Sequence, residues 1–223
     1  DKPFDPKEVN NNYTEANGWQ YTFFVPQDIP GMIEAMGGAT KFEAKLDEMF
    51  NSVSETSGRH QVDITGLIGQ YAHGNEPSHQ VAYLYNFVNK PEKTKEKVHF
   101  ILDNFYKNDP DGLIGNEDCG QMSAWFVLSS MGIYNVTPGQ PFWTTTEPYF
   151  DKIKVNFEDG TSRTIDKSIN DRMFGLNLKE MPSKDYIVNN LSVVPVIIAE
   201  SKSFKEKMTV EIKSIKLSVE KLN

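Results

Sequence analysis

The 223-residue chain is acidic, with a net charge of −8 at pH 7, and its 38% hydrophobic content suffices for a real core in one large or two small domains. With no basic stripe to offset phosphate repulsion, that charge excludes nucleic acid as a natural partner and favours neutral sugars or cations. No apolar run approaches the ~20 residues of a membrane span. The start at Asp1, without a signal-peptide pattern, reads as that of a processed or excised segment.

Up to about residue 137 apolar residues recur at helical spacing, broken by polar, glycine-containing loops. Thr40 and Glu43 predict a capping box ahead of Phe42, Leu46, Met49 and Phe50, hence a helix over 41–51. Ser78 predicts the cap of a helix carrying Val81, Leu84, Tyr85 and Val88, and Pro91 opens the next, with Val98, Ile101, Leu102 and Phe105 on its face. The run from Gly120 to Met131 reads as a nearly all-apolar, buried helix stopped by Gly132. After Pro138-Gly139 the period becomes two. Lys152–Phe157, a turn at Glu158-Asp159-Gly160 and Arg163–Ile165 predict a hairpin, and Val193–Ile198, Met208–Ile212 and Ile215–Val219 predict further strands. The expected fold class is therefore mainly α with a β tail: a helical catalytic segment over 1–137 and a small antiparallel β segment over 138–223. The Glu92–Lys97 charge run is expected to be a solvated helix face.

Three segments concentrate acids, amides, aromatics and glycines: Tyr13 to Tyr21, Gly69 to His79 and Gly115 to Trp125. In the last, Glu117 and Asp118 precede the apolar helix, where unpaired N–H groups and the helix dipole favour an anion, so Asp118 is expected to stay ionised there as base, metal ligand or simple helix cap. Glu15, among Tyr13, Trp19 and Tyr21, has surroundings that suit a protonated general acid; read without context it is a first-turn glutamate after Thr14. Asn75 and Glu76 offer the hard oxygen donors that Ca2+ takes, although the spacing is not that of an EF-hand. His73 and His79 straddle that loop, and the oxygen-rich setting speaks against zinc. His73 suits hydrogen bonding to a sugar, Trp19 suits stacking on a pyranose, and Trp125 suits the core. Cys119, the sole cysteine, has acidic rather than cationic neighbours and is expected to be buried packing, not a nucleophile. No serine lies in a Gly-x-Ser-x-Gly context, and no phosphate loop or dinucleotide fingerprint occurs.

Taken together, the three segments resemble the active-site half of glycoside hydrolase family 92, calcium-dependent exo-acting α-mannosidases that invert anomeric configuration. The resemblance is close over residues 3 to 145 and loose beyond. It implies part of an (α/α)6 toroidal barrel, with an N-terminal β-sandwich and the rest of the ring outside this chain. It implies Glu15 as catalytic acid and Asp118 as catalytic base, with Asn75, Glu76 and Asp118 toward Ca2+ and with Trp19, His73, Glu76 and Glu117 toward substrate. Where the family carries a second acid close to the base, this chain has Glu117 beside it and Asn116 before that; Gln80 and Gln27 stand where the family often has histidine. The implied substrate is terminal α-mannose, α-1,2-linked, on an oligosaccharide or glycan, and the implied location is periplasmic, surface-attached or secreted. The rival readings are a carbohydrate-binding protein without catalysis and a fragment inactive without its N-terminal domain.

Overall fold

Asn17 accepts the Gln20 N–H on its side chain while the Gln20 side-chain oxygen accepts the Asn17 N–H, a reciprocal capping box that starts α1 (Gly18–Thr22). This computed structural model describes residues 3–138, 143–156, 160–166, 196–200 and 208–211. α2 (Ile29–Ala35) opens on Asp28, whose carboxylate accepts the Gly31 N–H, with Pro30 in the first turn where its missing donor is not needed. α3 (Ala39–Asn51) buries Phe42, Leu46, Met49 and Phe50, the stripe read from the sequence. Its cap is Gly38 at φ 94, not the expected Thr40–Glu43 box. Thr40 lies inside the first turn, and Glu43 reaches Lys93 at 2.8 Å instead.

The next stretch departs further from expectation. Ser78 does not cap a helix; its hydroxyl accepts the Ala72 N–H at 3.2 Å. Val81–Val88 winds as a 3₁₀ helix after Gln80 and buries Val81, Leu84, Tyr85 and Val88 together with Ala82 and Tyr83, so almost every side is covered. α4 (Pro91–Phe105) starts on its proline and buries Thr94, Val98, Ile101 and Leu102, while Phe105 is half-buried. α5 (Gln121–Ser130) has Met122, Trp125 and Val127 buried and is followed by Gly132 at φ 76, a conformation that favours glycine.

The chain divides into two compact units, residues 1–128 with 134–138 and residues 129–133 with 139–223. In the second, the described strands form a four-stranded antiparallel sheet in the order Met208–Glu211, Val196–Glu200, Lys152–Asn156, Ser162–Asp166. Ile153 and Val155 are fully buried and Lys152 and Lys154 exposed, the period of two that marked this strand. Residues 157–159 and 193–195, Ile212 and the expected strand Ile215–Val219 lie outside the described residues. Among the described residues no helix is long and apolar enough to cross a membrane.

An ion cluster joins α3 to α4. Lys93 lies 2.6 Å from Asp47 and 2.8 Å from Glu43, and the Tyr85 hydroxyl donates to Asp47 at 2.9 Å. Desolvation works against the Asp47 anion, but the bonds from Lys93 and Tyr85 outweigh it and hold its pKa below the usual carboxylate value; the Lys93 bond does the same for Glu43. Lys93 is held above its own usual value, first by Asp47 and then by Glu43. The carboxylate share of this stability is present above about pH 4 and is lost as pH falls through the depressed values; the lysine share is present below about pH 10 and is lost as pH rises through the raised one. Lys93→Met is therefore expected to lower Tm at neutral pH and to make Tm fall less between about pH 6 and pH 3 than it does in wild type, as read by thermal unfolding across that range.

Candidate active site

Glu15 is exposed, with its backbone in the left-handed region at φ 55. Such a conformation costs a non-glycine residue about 1 kcal/mol or more, so it persists only where neighbours impose it. The restraint is visible. The Asn75 amide donates to the Glu15 carbonyl at 2.9 Å, the Asn17 amide donates to Gln70 Oε1 at 2.8 Å, and the Gln20 amide donates to the Gln70 carbonyl at 3.1 Å. Gln70 in turn donates to the Val53 and Glu55 carbonyls. A buried lattice of amides thus fixes the turn while Glu15 itself meets solvent, not the enclosing aromatic pocket expected for it. Tyr13 and Tyr21 do pack together beside the turn, with ring centroids 5.6 Å apart, and both are partly exposed. Trp19 is only 6% exposed, with the Lys45 ammonium 4.1 Å from its ring centre, which leaves no open face for a pyranose.

In the second segment Asn75 is buried and caps the short 3₁₀ turn Glu76–Ser78, its side-chain oxygen accepting the Glu76 N–H at 3.1 Å. Glu76 is exposed. The expectation that His73 contacts sugar is corrected: it is fully buried, and both ring nitrogens are occupied. Because the Tyr106 hydroxyl donates to the Met122 carbonyl, it accepts from His73 Nε2–H at 2.7 Å, which leaves Nδ1 to accept from the Tyr71 hydroxyl at 2.8 Å. The ring also meets Trp125 edge-on at 4.4 Å. Burial, and then the nearby His79, hold the His73 pKa well below the usual histidine value, so it is a neutral core residue. His79 is buried too. Its Nε2–H donates to the His73 carbonyl, its Nδ1 accepts from the Gln121 amide at 3.0 Å, and its own carbonyl accepts the Trp125 indole N–H at 3.0 Å. These bonds lash the start of α5 to the Asn75–Glu76 loop.

The third segment also needs correction. Glu117, not Asp118, caps α5, its carboxylate accepting the Gly120 and Ser123 N–H groups. Bonding to Ser123, and to the Gly120 amide, holds its pKa below the usual range despite some desolvation. Asp118 is exposed, at φ 55, and its pKa lies above the usual range. Desolvation by the surrounding chain contributes first, followed by the negative charges of Glu76, Asp63 and Glu117. The anion expected to be favoured at Asp118 is favoured instead at Glu117. Cys119, expected to be buried, is exposed and also at φ 55, so Asp118, Cys119 and Gly120 form a run of left-handed residues.

One wall of the site was not read from the sequence. The loop from Gln61 to Gly66 runs between the second and third segments. The Asn116 amide donates to Asp63 Oδ1 at 3.0 Å, and the Gln61 amide donates to the other carboxylate oxygen. The Thr65 carbonyl accepts the Gly74 N–H, and the Gly66 carbonyl accepts the His73 N–H. A Cβ on Gly74 would stand 1.9 Å from Thr65 Oγ1, and one on Gly115 2.9 Å from the same atom, so glycine is required where the chain closes over Thr65. Asp63 and Thr65 lie in a short alternating run, Gln61-Val62-Asp63-Ile64-Thr65, that carries no catalytic or metal-binding motif, which is why sequence alone gave no sign of them.

The structure thus ties Glu15 to Asn75 through the Glu15 carbonyl and sets Asp118 near Glu76, Asp63 and Glu117, while Trp19 and His73 are buried. Among the described residues no group of His, Cys, Asp and Glu side chains closes on a metal. The donor chemistry nonetheless fits Ca2+: Asn75, Glu76 and Asp118 are all oxygen donors, and Asp118 lies near the carboxylates of Glu76 and Asp63.

Residues 1–195 match the glycosyl hydrolase family 92 catalytic domain. The fold is similar to that of a family 92 alpha-mannosidase from Bacteroides thetaiotaomicron, solved in complex with mannoimidazole, at 38% identity and a TM-score of 0.67, over 74% of this chain and 23% of that one. It is also similar to a family 92 inverting mannosidase from the same organism, at 33% identity and a TM-score of 0.61, over 74% and 24%. A curated relative from Arthroderma benhamiae, described as an uncharacterized secreted glycosidase, is 29% identical over 147 residues, 66% of this chain and 17% of the relative. The chain therefore spans a quarter or less of the length of these relatives. With the family match covering most of its residues, the chain belongs to glycosyl hydrolase family 92, as part of the catalytic domain.

Proposed function

We propose that this chain carries the acid and the base of an enzyme that hydrolyses terminal α-linked mannose with inversion, with an α-1,2 linkage as the assigned substrate. The observation that carries the reading is the backbone. Glu15 and Asp118 are both held at φ 55, and both adjoin the same loop, Glu15 through the Asn75 amide and Asp118 by its closeness to Glu76. Strain maintained at two carboxylates, against about 1 kcal/mol or more at each, is what a site that needs fixed acid and base positions displays. The 33% identity with a relative described as an inverting mannosidase supports the same reading.

In this mechanism Glu15 donates its proton to the glycosidic oxygen as the bond to C1 breaks. Asp118 takes a proton from a water molecule whose oxygen bonds C1 from the opposite face, so configuration inverts. Glu76 is exposed and free to accept from a sugar hydroxyl, whereas Glu117, held by α5 N–H groups, positions the turn. Asn75, Glu76 and Asp118 would contribute to holding Ca2+, which supplies a hard, charged anchor for neighbouring sugar hydroxyls when bound. Trp19 and His73 serve the substrate indirectly, through the packing of α1 and α5.

The rest of an (α/α)6 ring and an N-terminal β-sandwich would complete the parent protein and supply the leaving-group side of the pocket. Because the chain spans only 17 to 24% of its relatives, the isolated polypeptide is expected to be inactive without them. A relative described as a secreted glycosidase supports an exported enzyme. The cofactor assignment is tested on the full-length protein: EDTA is expected to abolish mannose release and added Ca2+, not Zn2+, to restore it. Full activity after exhaustive chelation would remove Ca2+ from the account.

A further inference from the structure

The turn that carries the proposed base holds Asp118, Cys119 and Gly120 all at positive φ, and such a run needs restraint from outside itself. On its helix side the restraint is Glu117, which accepts the Gly120 and Ser123 N–H groups. On the other side the side chain nearest in sequence is Asn116, whose amide donates to Asp63 at 3.0 Å. Asp63 is well placed to serve as an anchor. Its second carboxylate oxygen accepts from Gln61, its carbonyl accepts the Thr65 N–H, and Thr65 is wedged against Gly74, inside the second segment, and Gly115, at the start of the third. Asp63 thus ties the base turn to the loop that carries Asn75 and Glu76.

We propose that Asp63, acting through the Asn116 amide, is a positioning residue that holds the Asp118 carboxylate in its catalytic orientation. The proposal rests on the reading of Asp118 as base. In a chain with an amide at position 116, a carboxylate from a distant loop sets the geometry of that turn through a neutral hydrogen-bond donor.

Asp63→Ala, Asn116→Ala and the double variant separate this role from a general structural one. In the full-length enzyme with Ca2+, each single variant is expected to lower kcat on an aryl α-mannoside about tenfold, with KM within about twofold and Tm little changed, since a misplaced base weakens the chemical step more than ground-state binding. The double variant is expected to lose about tenfold as well, because both changes remove one hydrogen bond. Asp63→Asn retains an acceptor for the Asn116 amide and is expected to recover most of the rate. Amide hydrogen exchange over residues 115–121 reads the same restraint without turnover, and is expected to quicken equally in the three alanine variants. A silent Asp63→Ala, or a double variant about a hundredfold down, would overturn the proposal while leaving the mannosidase reading intact. A wild-type enzyme without turnover counts against that reading, and unchanged exchange in Asp63→Ala would then dispose of the anchor independently.

Discussion

Glu15→Gln in the full-length enzyme is expected to lower kcat on an α-1,2-mannobioside about 1,000-fold, within the range by which a positioned general acid accelerates such a reaction. On an aryl mannoside whose phenolate departs without protonation, the same substitution is expected to cost far less. Asp118→Asn behaves differently. Water must be deprotonated whichever group leaves, so about 1,000-fold is expected to be lost on both substrates. The roles are thereby separable with two substrates and two variants. Equal losses for Glu15→Gln on both substrates would move the acid elsewhere, and a substantial rate remaining in Asp118→Asn would move the base.

His73→Ala is expected to destabilise the fold by about 4 kcal/mol, a loss read from the midpoint of urea unfolding. The substitution opens a cavity where the ring met Trp125 at 4.4 Å, and it strips partners from the Tyr71 and Tyr106 hydroxyls at 2.8 and 2.7 Å. His73→Phe fills the volume but leaves both hydroxyls short of a partner, so about half of that loss is expected. Since Tyr106 also holds the Met122 carbonyl, both variants loosen the start of α5, the helix that follows Asp118. A stability change below about 1 kcal/mol for His73→Ala would show that the ring is not the keystone of this network.

What the sequence disclosed about this protein follows the range of each interaction. Apolar spacing located α3 and α4, and a nearly unbroken apolar run located α5, to within a few residues, because burial of Phe42, Leu46, Val98 or Ile101 is encoded locally by period. The caps were less legible. Thr40–Glu43 satisfies the local pattern of a capping box, yet Glu43 finds Lys93 of α4 and Lys90 just before it, and the helix is capped by Gly38. Ser78 is likewise claimed by the Ala72 amide across a tight loop. Motif density singled out three segments but not the division of labour inside them. Whether Glu117 or Asp118 satisfies the α5 N–H groups depends on backbone angles, and φ 55 at a non-glycine residue has no sequence signature.

Residue type misled where burial decides the role. A histidine in a segment rich in acids, amides and glycines suggests contact with a ligand, but Tyr71 and Tyr106 close on both nitrogens of His73 and convert it to a core element. Trp19 is drawn inward and covered by Lys45, while Cys119, expected inside, lies exposed on the strained turn. Asp63 gave no sign because its link to the third segment runs through Asn116, a partner 53 residues away. Long-range pairing of this kind is set by the folded topology, which puts the Gln61–Gly66 loop between Gly74 and Gly115.

The central claim, hydrolysis of α-mannosides with inversion, is tested most directly by proton NMR of the full-length protein turning over an α-1,2-mannobioside with Ca2+. Two acids acting from opposite faces of the sugar predict that β-mannose accumulates first and that the α-anomer follows only by mutarotation. First appearance of α-mannose would contradict the assignment of Glu15 and Asp118 as acid and base of a single displacement.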